Sequence, residues 1–226
     1  MRKLFVVGGT WEFTPYGLQQ DIVNRINKGW QAEWIPYPAR YGDGEAYMIS
    51  VDIGKRNLND AINRWGGEYS ITGYSQGAKI AGDISKERLT DGRFLRSYLI
   101  ADPSRSPKDR LIGPKVGGKG ISGEREVGWK ANEFVAPGDF IGSNDNAFLY
   151  NVARYTYNMS SRDPVAWIKS FSNAAKEREA GGDVVAGFRT LANYLRTQVH
   201  TKYQSYVVQD GLTTTQWIAK DLNRWR

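Results

Sequence analysis

Short apolar runs alternate with stretches of helical spacing through the first two-thirds of the chain. Residues Leu4 to Val7 are apolar and end at paired glycines, which is typical of a buried strand that leads into a turn. Leu18, Ile22 and Ile26 then recur at the spacing of one helix face. Strands that alternate with helices in this way predict right-handed crossovers and a central parallel β-sheet flanked by helices on both faces.

The same patterns define the other expected elements. The predicted strands cover residues 4–7, 32–37, 68–74, 94–101 and 132–136. The predicted helices cover residues 16–28, 47–65, 77–89, 165–179, 184–198 and 213–225. Residues 104–128 are rich in Gly, Pro, Lys and Arg and show little periodicity, so we expect a long loop on the surface there.

The composition agrees with one α/β domain over residues 1–226, since 40% of the residues are hydrophobic. The chain has no cysteine, which excludes disulfides, cysteine-based metal sites and cysteine nucleophiles. The apolar run at the N-terminus breaks at Gly8 and Gly9 and is too short for a signal peptide. No run approaches the length of a membrane span, so we expect no stable membrane insertion.

The net charge of +7 favours attraction to anionic polymers or to an acidic lipid surface. The basic residues are scattered, however, and Arg105, Lys108, Arg110 and Lys115 come nearest to a cluster. These four lie in the predicted loop, where we expect them to be solvated. The chain lacks a module of interleaved aromatic and basic residues, so we expect no nucleic-acid partner.

A possible nucleophile lies between the predicted strand 68–74 and the helix that follows it. The sequence there is Gly73-Tyr74-Ser75-Gln76-Gly77. A Gly-x-Ser-x-Gly turn between a strand and a helix is a nucleophile elbow, in which a serine hydroxyl points out of the sheet. The glycines are needed because this sharp turn leaves no room for side chains at either position. We predict Ser75 to be the nucleophile, although glycines that serve close packing alone would give the same pattern.

A serine nucleophile needs a general base and an acid that orients the base. The chain has a single histidine, His200. It follows Ser75, as expected when a nucleophile elbow is followed along the chain by the acid and then by the histidine. Two aspartates follow predicted strands and are candidates for the acid, Asp102 and Asp139. We favour Asp139 because the acid of most α/β-hydrolases follows the second strand after the nucleophile. Asp102 precedes a proline and is also compatible with an ordinary turn.

Two backbone amides are expected to form an oxyanion hole. The amide of Gln76 directly follows the serine and opens a helix, where the helix dipole favours negative charge. Thr10 lies in the turn after the first strand, at the place of the second donor, although this turn is equally compatible with a simple connection. This chemistry requires no metal and no organic cofactor.

These residues together resemble the cutinase-like branch of the α/β-hydrolases, and most closely the lysin B esterases of mycobacteriophages. Gly73-Tyr74-Ser75-Gln76-Gly77-Ala78 is similar to the cutinase elbow, including the glutamine after the serine. Gly9-Thr10-Trp11-Glu12 resembles the turn that supplies the cutinase oxyanion hole, and Asp102-Pro103-Ser104-Arg105 resembles a stretch of lysin B proteins. The resemblance covers residues 3–140 by motif and the region of His200 by order alone.

The resemblance implies a catalytic triad of Ser75, Asp139 and His200 in a single domain. It also implies hydrolysis of the ester between mycolic acids and arabinogalactan during phage lysis. The expected partner is therefore this lipid ester at the cell envelope, and we expect a monomer. We further expect synthesis in the host cytoplasm without a signal peptide and action at the host envelope after release.

A helical insert is expected at about residues 160–198, before the histidine. Its apolar residues, at helical spacing, suit either a wall for a long acyl chain or an ordinary core. They are Trp167, Ile168, Phe171, Phe188, Leu191 and Leu195. Two other functions remain open on the sequence: a general lipase or cutinase-type esterase, and a non-catalytic envelope-binding virion protein on a hydrolase fold.

Overall fold

Parallel strands form the central sheet of the protein. The computed structural model describes residues 1–159, 164–176 and 184–225, apart from the side chains of Pro164 and Trp167. The strands of this sheet are β1 (Arg2–Val7), β2 (Trp30–Trp34), β3 (Tyr69–Tyr74), β4 (Phe94–Ile100), β5 (Arg110–Leu111) and β6 (Ala131–Phe134). Their spatial order is β2-β1-β3-β4-β6-β5, and all neighbouring pairs are parallel.

Helices cover both faces of the sheet. They are α1 (Gly17–Arg25), α2 (Tyr47–Arg64), α3 (Gln76–Glu87), α4 (Ala147–Thr156), α5 (Pro164–Lys176), α6 (Val184–Thr197) and α7 (Thr214–Leu222). Helices α2 and α3 pack on one face, and α1 and α7 pack on the other. A small antiparallel hairpin, β7 (Val207–Gln209) with β8 (Leu212–Thr213), precedes α7.

Strand β1 shows why the sheet needs helices on both sides. Phe5 and Val7 lie in the apolar cluster under α2 and α3, whereas Leu4 and Val6 lie in the cluster under α1 and α7. Successive side chains of a strand point to opposite faces, so a strand buried on both faces is apolar throughout. The continuous apolar run at residues 4–7 therefore determines a covered, parallel sheet.

A third apolar cluster lies away from the sheet, between α4, α5 and α6. Its buried centre includes Phe148, Leu149 and Ala174, with Phe171 and Leu191 packed against it. The helices α5 and α6 fall within the expected helical insert. Residues 160–163 and 177–183 of that insert lie outside the described residues.

The predicted strands and helices are present, with shifted ends. The second strand runs from Trp30 to Trp34, whereas residues 32–37 were expected. Its limits are set by its pairing with β1 and do not follow its apolar run. Helix α7 ends at Leu222, three residues before the predicted end. The sequence analysis missed α4, the short strand β5 within the predicted loop, and the β7–β8 hairpin. The signal for α4 was present, since Asn146 caps the helix by accepting a hydrogen bond from the Leu149 amide.

The expectation of a solvated loop at residues 104–128 is wrong in part. Arg105 is only 2% exposed, and its guanidinium donates to the backbone carbonyls of Gly117, Gly118 and Gly142. A buried arginine needs hydrogen-bond partners, and these carbonyls accept from three of its five N–H donors. Arg105 thus holds the loop together from inside, which neither its composition nor its lack of periodicity indicated.

The glycines of the Ser75 turn permit close backbone contact between β1, β3 and α3. A Cβ atom at Gly77 would overlap the carbonyl oxygens of Val7 and Gly8, and one at Gly73 would overlap the carbonyl of Gly77. These atoms belong to the backbone of the central sheet and of the turn, so they cannot move aside cheaply. Both positions therefore require glycine for steric reasons.

We expect Gly77→Ala to destabilise the fold by roughly 1–3 kcal/mol, the usual cost of overpacking. Alanine is normally favoured over glycine in a helix by about 1 kcal/mol, but the steric overlap outweighs that gain here. Urea denaturation would measure the change. Gly92→Ala is the matched control, because a Cβ at Gly92 meets no atom within 4 Å. Equal stability of the two variants would contradict this account.

Candidate active site

Ser75 occupies a strained turn between β3 and α3. Its backbone has φ 55° and ψ −119°, a conformation that non-glycine residues rarely adopt. The Ser75 amide donates to the carbonyl of Ile100 on the neighbouring strand at 2.8 Å, which helps to hold this conformation. The arrangement agrees with the predicted nucleophile elbow.

His200 bridges Ser75 and Asp139. The Nε2 atom of His200 lies 2.9 Å from the Ser75 Oγ, and its Nδ1 atom lies 2.8 Å from Oδ2 of Asp139. His200 lies in a short 3-10 helix, Val199–Thr201, directly after α6. Residues separated by 64 and 61 positions along the chain thus form one line of hydrogen bonds, with the geometry needed for a base to activate a serine.

The Asp139 carboxylate is fully buried and receives hydrogen bonds from three sides. Besides His200, the Tyr203 hydroxyl donates to Oδ2 at 2.7 Å and the Ile141 amide donates to Oδ1 at 3.1 Å. Tyr203 also accepts a hydrogen bond from the Ala136 amide at 2.9 Å. Tyr203 therefore ties the carboxylate to the end of β6. The sequence analysis missed it, since nothing distinguishes it from the other tyrosines.

Tyr74, the variable residue before Ser75, holds His200 from another side. Its hydroxyl donates to the backbone carbonyl of His200 at 2.6 Å, and the two rings lie 5.0 Å apart. Burial raises the pKa of the Tyr74 phenol, so the hydroxyl keeps its proton and remains a donor. The residue next to the serine thus fixes the backbone of the histidine that faces the serine.

Asp102, the alternative acid, belongs to a different interaction. Its buried carboxylate pairs with the guanidinium of Arg125 and accepts a hydrogen bond from the Ser104 amide at 2.8 Å. Arg125 in turn contacts Asp83 of α3 at 3.2 Å. Asp102 therefore anchors the loop at residues 104–128 against α3, while His200 is paired with Asp139.

Thr10 and Gln76 both line the cavity into which Ser75 opens. The side-chain amide nitrogen of Gln76 donates to the Arg40 carbonyl at 3.0 Å, which fixes this side chain. Among the residues the structure describes, neither the Thr10 nor the Gln76 amide donates to a protein acceptor. Two unpaired amides beside a serine hydroxyl suit the stabilisation of an oxyanion.

Glu12 shapes the turn that carries Thr10. Its carboxylate accepts a hydrogen bond from the Gly9 amide at 2.7 Å, and it lies at the same cavity. Burial raises the pKa of Glu12, against the opposing effects of the Gly9 amide and of nearby His200. Glu12, the last residue of the Gly9-Thr10-Trp11-Glu12 motif, therefore stabilises the turn after β1.

The cavity beside Ser75 has a volume of about 550 Å³. Most of its lining is aromatic or aliphatic, and Phe171 of α5 and Leu191 of α6 contribute to it, as one of the two sequence interpretations expected. Three other residues of that set do not line it and are exposed: Ile168, Phe188 and Leu195. The side chain of Trp167 lies outside the described residues. One face of α5 and one face of α6 thus form part of the wall of an apolar cavity.

Within the described part of the chain, no cluster of three or more His, Cys, Asp or Glu side chains is arranged to hold a metal ion. A search of the same residues finds no helix that is long and apolar enough to cross a membrane.

Comparison with known proteins supports the fold. No protein-family model and no curated protein sequence matches the chain. Among solved structures, a cutinase-like protein from Cryptococcus sp. aligns over 86% of this chain and 94% of its own, with 18% identity and a TM-score of 0.52. A deformylase from Pseudomonas putida S16 aligns over 50% of this chain and 43% of its own, with 20% identity, but its TM-score of 0.34 is too low to support an argument.

The fold is that of the α/β-hydrolases. The parallel sheet, the helices on both faces and the similarity to the cutinase-like structure agree on this point. The sequence resemblance to cutinase-like proteins is thus supported at the level of the fold.

Asp139→Asn is expected to lower the reactivity of Ser75, whereas Asp102→Asn is expected to lower the stability of the fold. Asp139→Asn leaves His200 without its carboxylate partner, so labelling of Ser75 by a fluorophosphonate should slow by roughly three to four orders of magnitude with little loss of stability. Asp102→Asn leaves a buried guanidinium without its main partner, so the free energy of unfolding should fall by about 3 kcal/mol. Labelling kinetics and urea denaturation of both variants check this assignment, which slow labelling in the Asp102 variant alone would overturn.

Proposed function

We propose that this protein is a serine esterase with Ser75 as nucleophile, His200 as general base and Asp139 as the acid that orients it. The observation that carries this proposal is the pair of hydrogen bonds from His200 to Ser75 and to Asp139, 2.9 and 2.8 Å long, at an apolar cavity. An activated serine beside an apolar cavity suits acyl transfer from an ester with a hydrocarbon acyl chain.

The proposed reaction has two steps. His200 removes the proton of Ser75 as the Oγ atom attacks the ester carbonyl, and the amides of Thr10 and Gln76 bind the oxyanion. His200 then passes that proton to the leaving alcohol as the ester C–O bond breaks. In the second step His200 takes a proton from water as the water oxygen attacks the carbonyl carbon of the acyl-enzyme. The bond between that carbon and the Ser75 Oγ then breaks, the carboxylic acid leaves, and His200 returns the proton to Ser75. The chemistry draws on side chains and backbone amides of this chain and on water.

For the substrate we propose the ester between mycolic acids and arabinogalactan, cleaved at the host envelope during phage lysis. Two features support it: the motif resemblance to lysin B esterases and the apolar cavity, to which the helical insert contributes Phe171 and Leu191. The sugar would be the leaving alcohol. On this proposal the protein is made in the host cytoplasm, is released at lysis and works as a monomer.

A general lipase or cutinase-type esterase is the second candidate. The largely apolar lining of the cavity favours it, because hydrocarbon and aromatic walls recognise an acyl chain without selecting the alcohol attached to it. The two candidates differ in the leaving group and not in the chemistry.

Ser75→Ala should abolish hydrolysis of p-nitrophenyl butyrate, since it removes the hydroxyl that lies 2.9 Å from the His200 Nε2. His200→Ala should reduce turnover by several orders of magnitude, as for other triad members. Circular dichroism checks that both variants keep the fold. Full turnover by a folded Ser75→Ala variant would contradict the assignment, and a folded wild-type protein that resists fluorophosphonate would favour a non-catalytic binding protein.

The substrate is tested with purified mycolyl-arabinogalactan beside a series of p-nitrophenyl esters of increasing chain length. Release of free mycolic acids, measured by thin-layer chromatography, is expected from the wild type and not from Ser75→Ala. Hydrolysis of the long p-nitrophenyl esters without release of mycolic acids would favour the general esterase.

A further inference from the structure

Helix α6 carries a row of exposed apolar side chains on its outer side. Val185, Phe188 and Leu195 are 63%, 52% and 65% exposed, and Ala192 between them is exposed as well. Their spacing of three, four and three residues places them on one face of the helix. Single exposed apolar residues are ordinary, but a row of this length along one helix is not.

The exposed row adjoins the buried apolar side of α6. Gly187 is buried, and Leu191 and Tyr194 line the cavity beside Ser75. Leu191 and Leu195 are four residues apart and are therefore neighbours on the helix surface, so the apolar face of α6 is wider than the part that the protein covers. Phe188 also packs against Phe148, which lines the cavity, with the two ring centres 5.3 Å apart, so the exposed row lies directly beside the cavity wall.

Helix α5 repeats this arrangement. Phe171 lines the cavity, whereas Ile168, three residues earlier, is 67% exposed. We call the set Ile168, Val185, Phe188 and Leu195 the outer face of the insert. The outer face therefore belongs to the same two helices that form a wall of the cavity.

The charge of these helices indicates what covers the outer face. Helices α5 and α6 contain no acidic residue and four basic ones, all exposed: Lys169, Lys176, Arg189 and Arg196. The segment 177–183 between them, outside the described residues, has three acidic residues and one basic residue in its sequence, so the excess over the whole stretch remains positive. Exposed apolar residues flanked by Lys and Arg are typical of helices that lie in the surface of an anionic lipid layer.

We propose that the outer face docks the protein on an anionic lipid surface. The apolar side chains enter the acyl region and the four basic residues contact acidic headgroups, which places the cavity wall next to the lipid. A second copy of this chain fits the face less well, because it would bring two sets of cations together. Docking would bring the active-site cavity close to a lipid ester, and this role rests on the proposed esterase function. The docking itself does not require Ser75.

Sedimentation with sucrose-loaded vesicles tests the proposal in the Ser75→Ala background, where nothing is hydrolysed. We expect binding to phosphatidylglycerol vesicles and weaker binding to phosphatidylcholine vesicles. The double variant Ile168→Gln with Leu195→Gln should lower the partition coefficient by about tenfold, because two large apolar side chains no longer enter the lipid. Lys169→Gln with Arg189→Gln should lower it by at least about tenfold on phosphatidylglycerol alone.

The matched control is Ile49→Gln with Val207→Gln, which changes two apolar residues that are 51% and 53% exposed on other elements. It should bind vesicles like the parent. Equal losses in the control and in the outer-face variant would overturn the proposal, as would a dimer in sedimentation equilibrium that only the outer-face variant abolishes. Equal binding to both vesicle types would overturn the anionic preference. Vesicle binding by a wild-type protein that cleaves no ester would support docking and refute the esterase function.

Discussion

The backbone of Ser75 is the constraint on which the rest of the site depends. A serine with φ 55° costs of order 1–3 kcal/mol relative to a relaxed residue, so surrounding contacts must hold it there. The hydrogen bond from its amide to Ile100 holds one side, and α3 begins at the next residue. The close packing of Gly73 and Gly77 prevents a wider turn. A relaxed Ser75 would turn its hydroxyl away from His200.

The other half of the site is rigid for a different reason. Asp139 is fully buried, and a buried carboxylate is tolerated only when hydrogen bonds compensate for its lost hydration. Tyr203 and the Ile141 amide provide part of that compensation, and His200 provides the rest. The base is therefore held by a group that itself needs the base. Tyr74 adds a link from the serine turn to the histidine backbone.

Local signals predicted most of the sheet and the position of the serine turn. They failed where contacts distant in sequence decide the outcome. Helix α4 has a capping asparagine but is short, and Tyr203 has no local signature at all. Arg105 was expected to be solvated because its loop is rich in Gly, Pro, Lys and Arg, a composition typical of exposed loops. It is buried because three backbone carbonyls accept its hydrogen bonds, two from the same loop and one from Gly142 beyond it.

The sequence by itself determined the serine turn and its single possible base, because a turn depends on adjacent residues and the chain contains one histidine. It favoured Asp139 as the acid but did not exclude Asp102. Both follow strands of one parallel sheet, β4 and β6, which are neighbours and end at the same edge. The tertiary structure decided, since Arg125 neutralises Asp102 from a separate loop and leaves Asp139 to face His200. A carboxylate's partner is set by distance in space, which the order of residues does not specify.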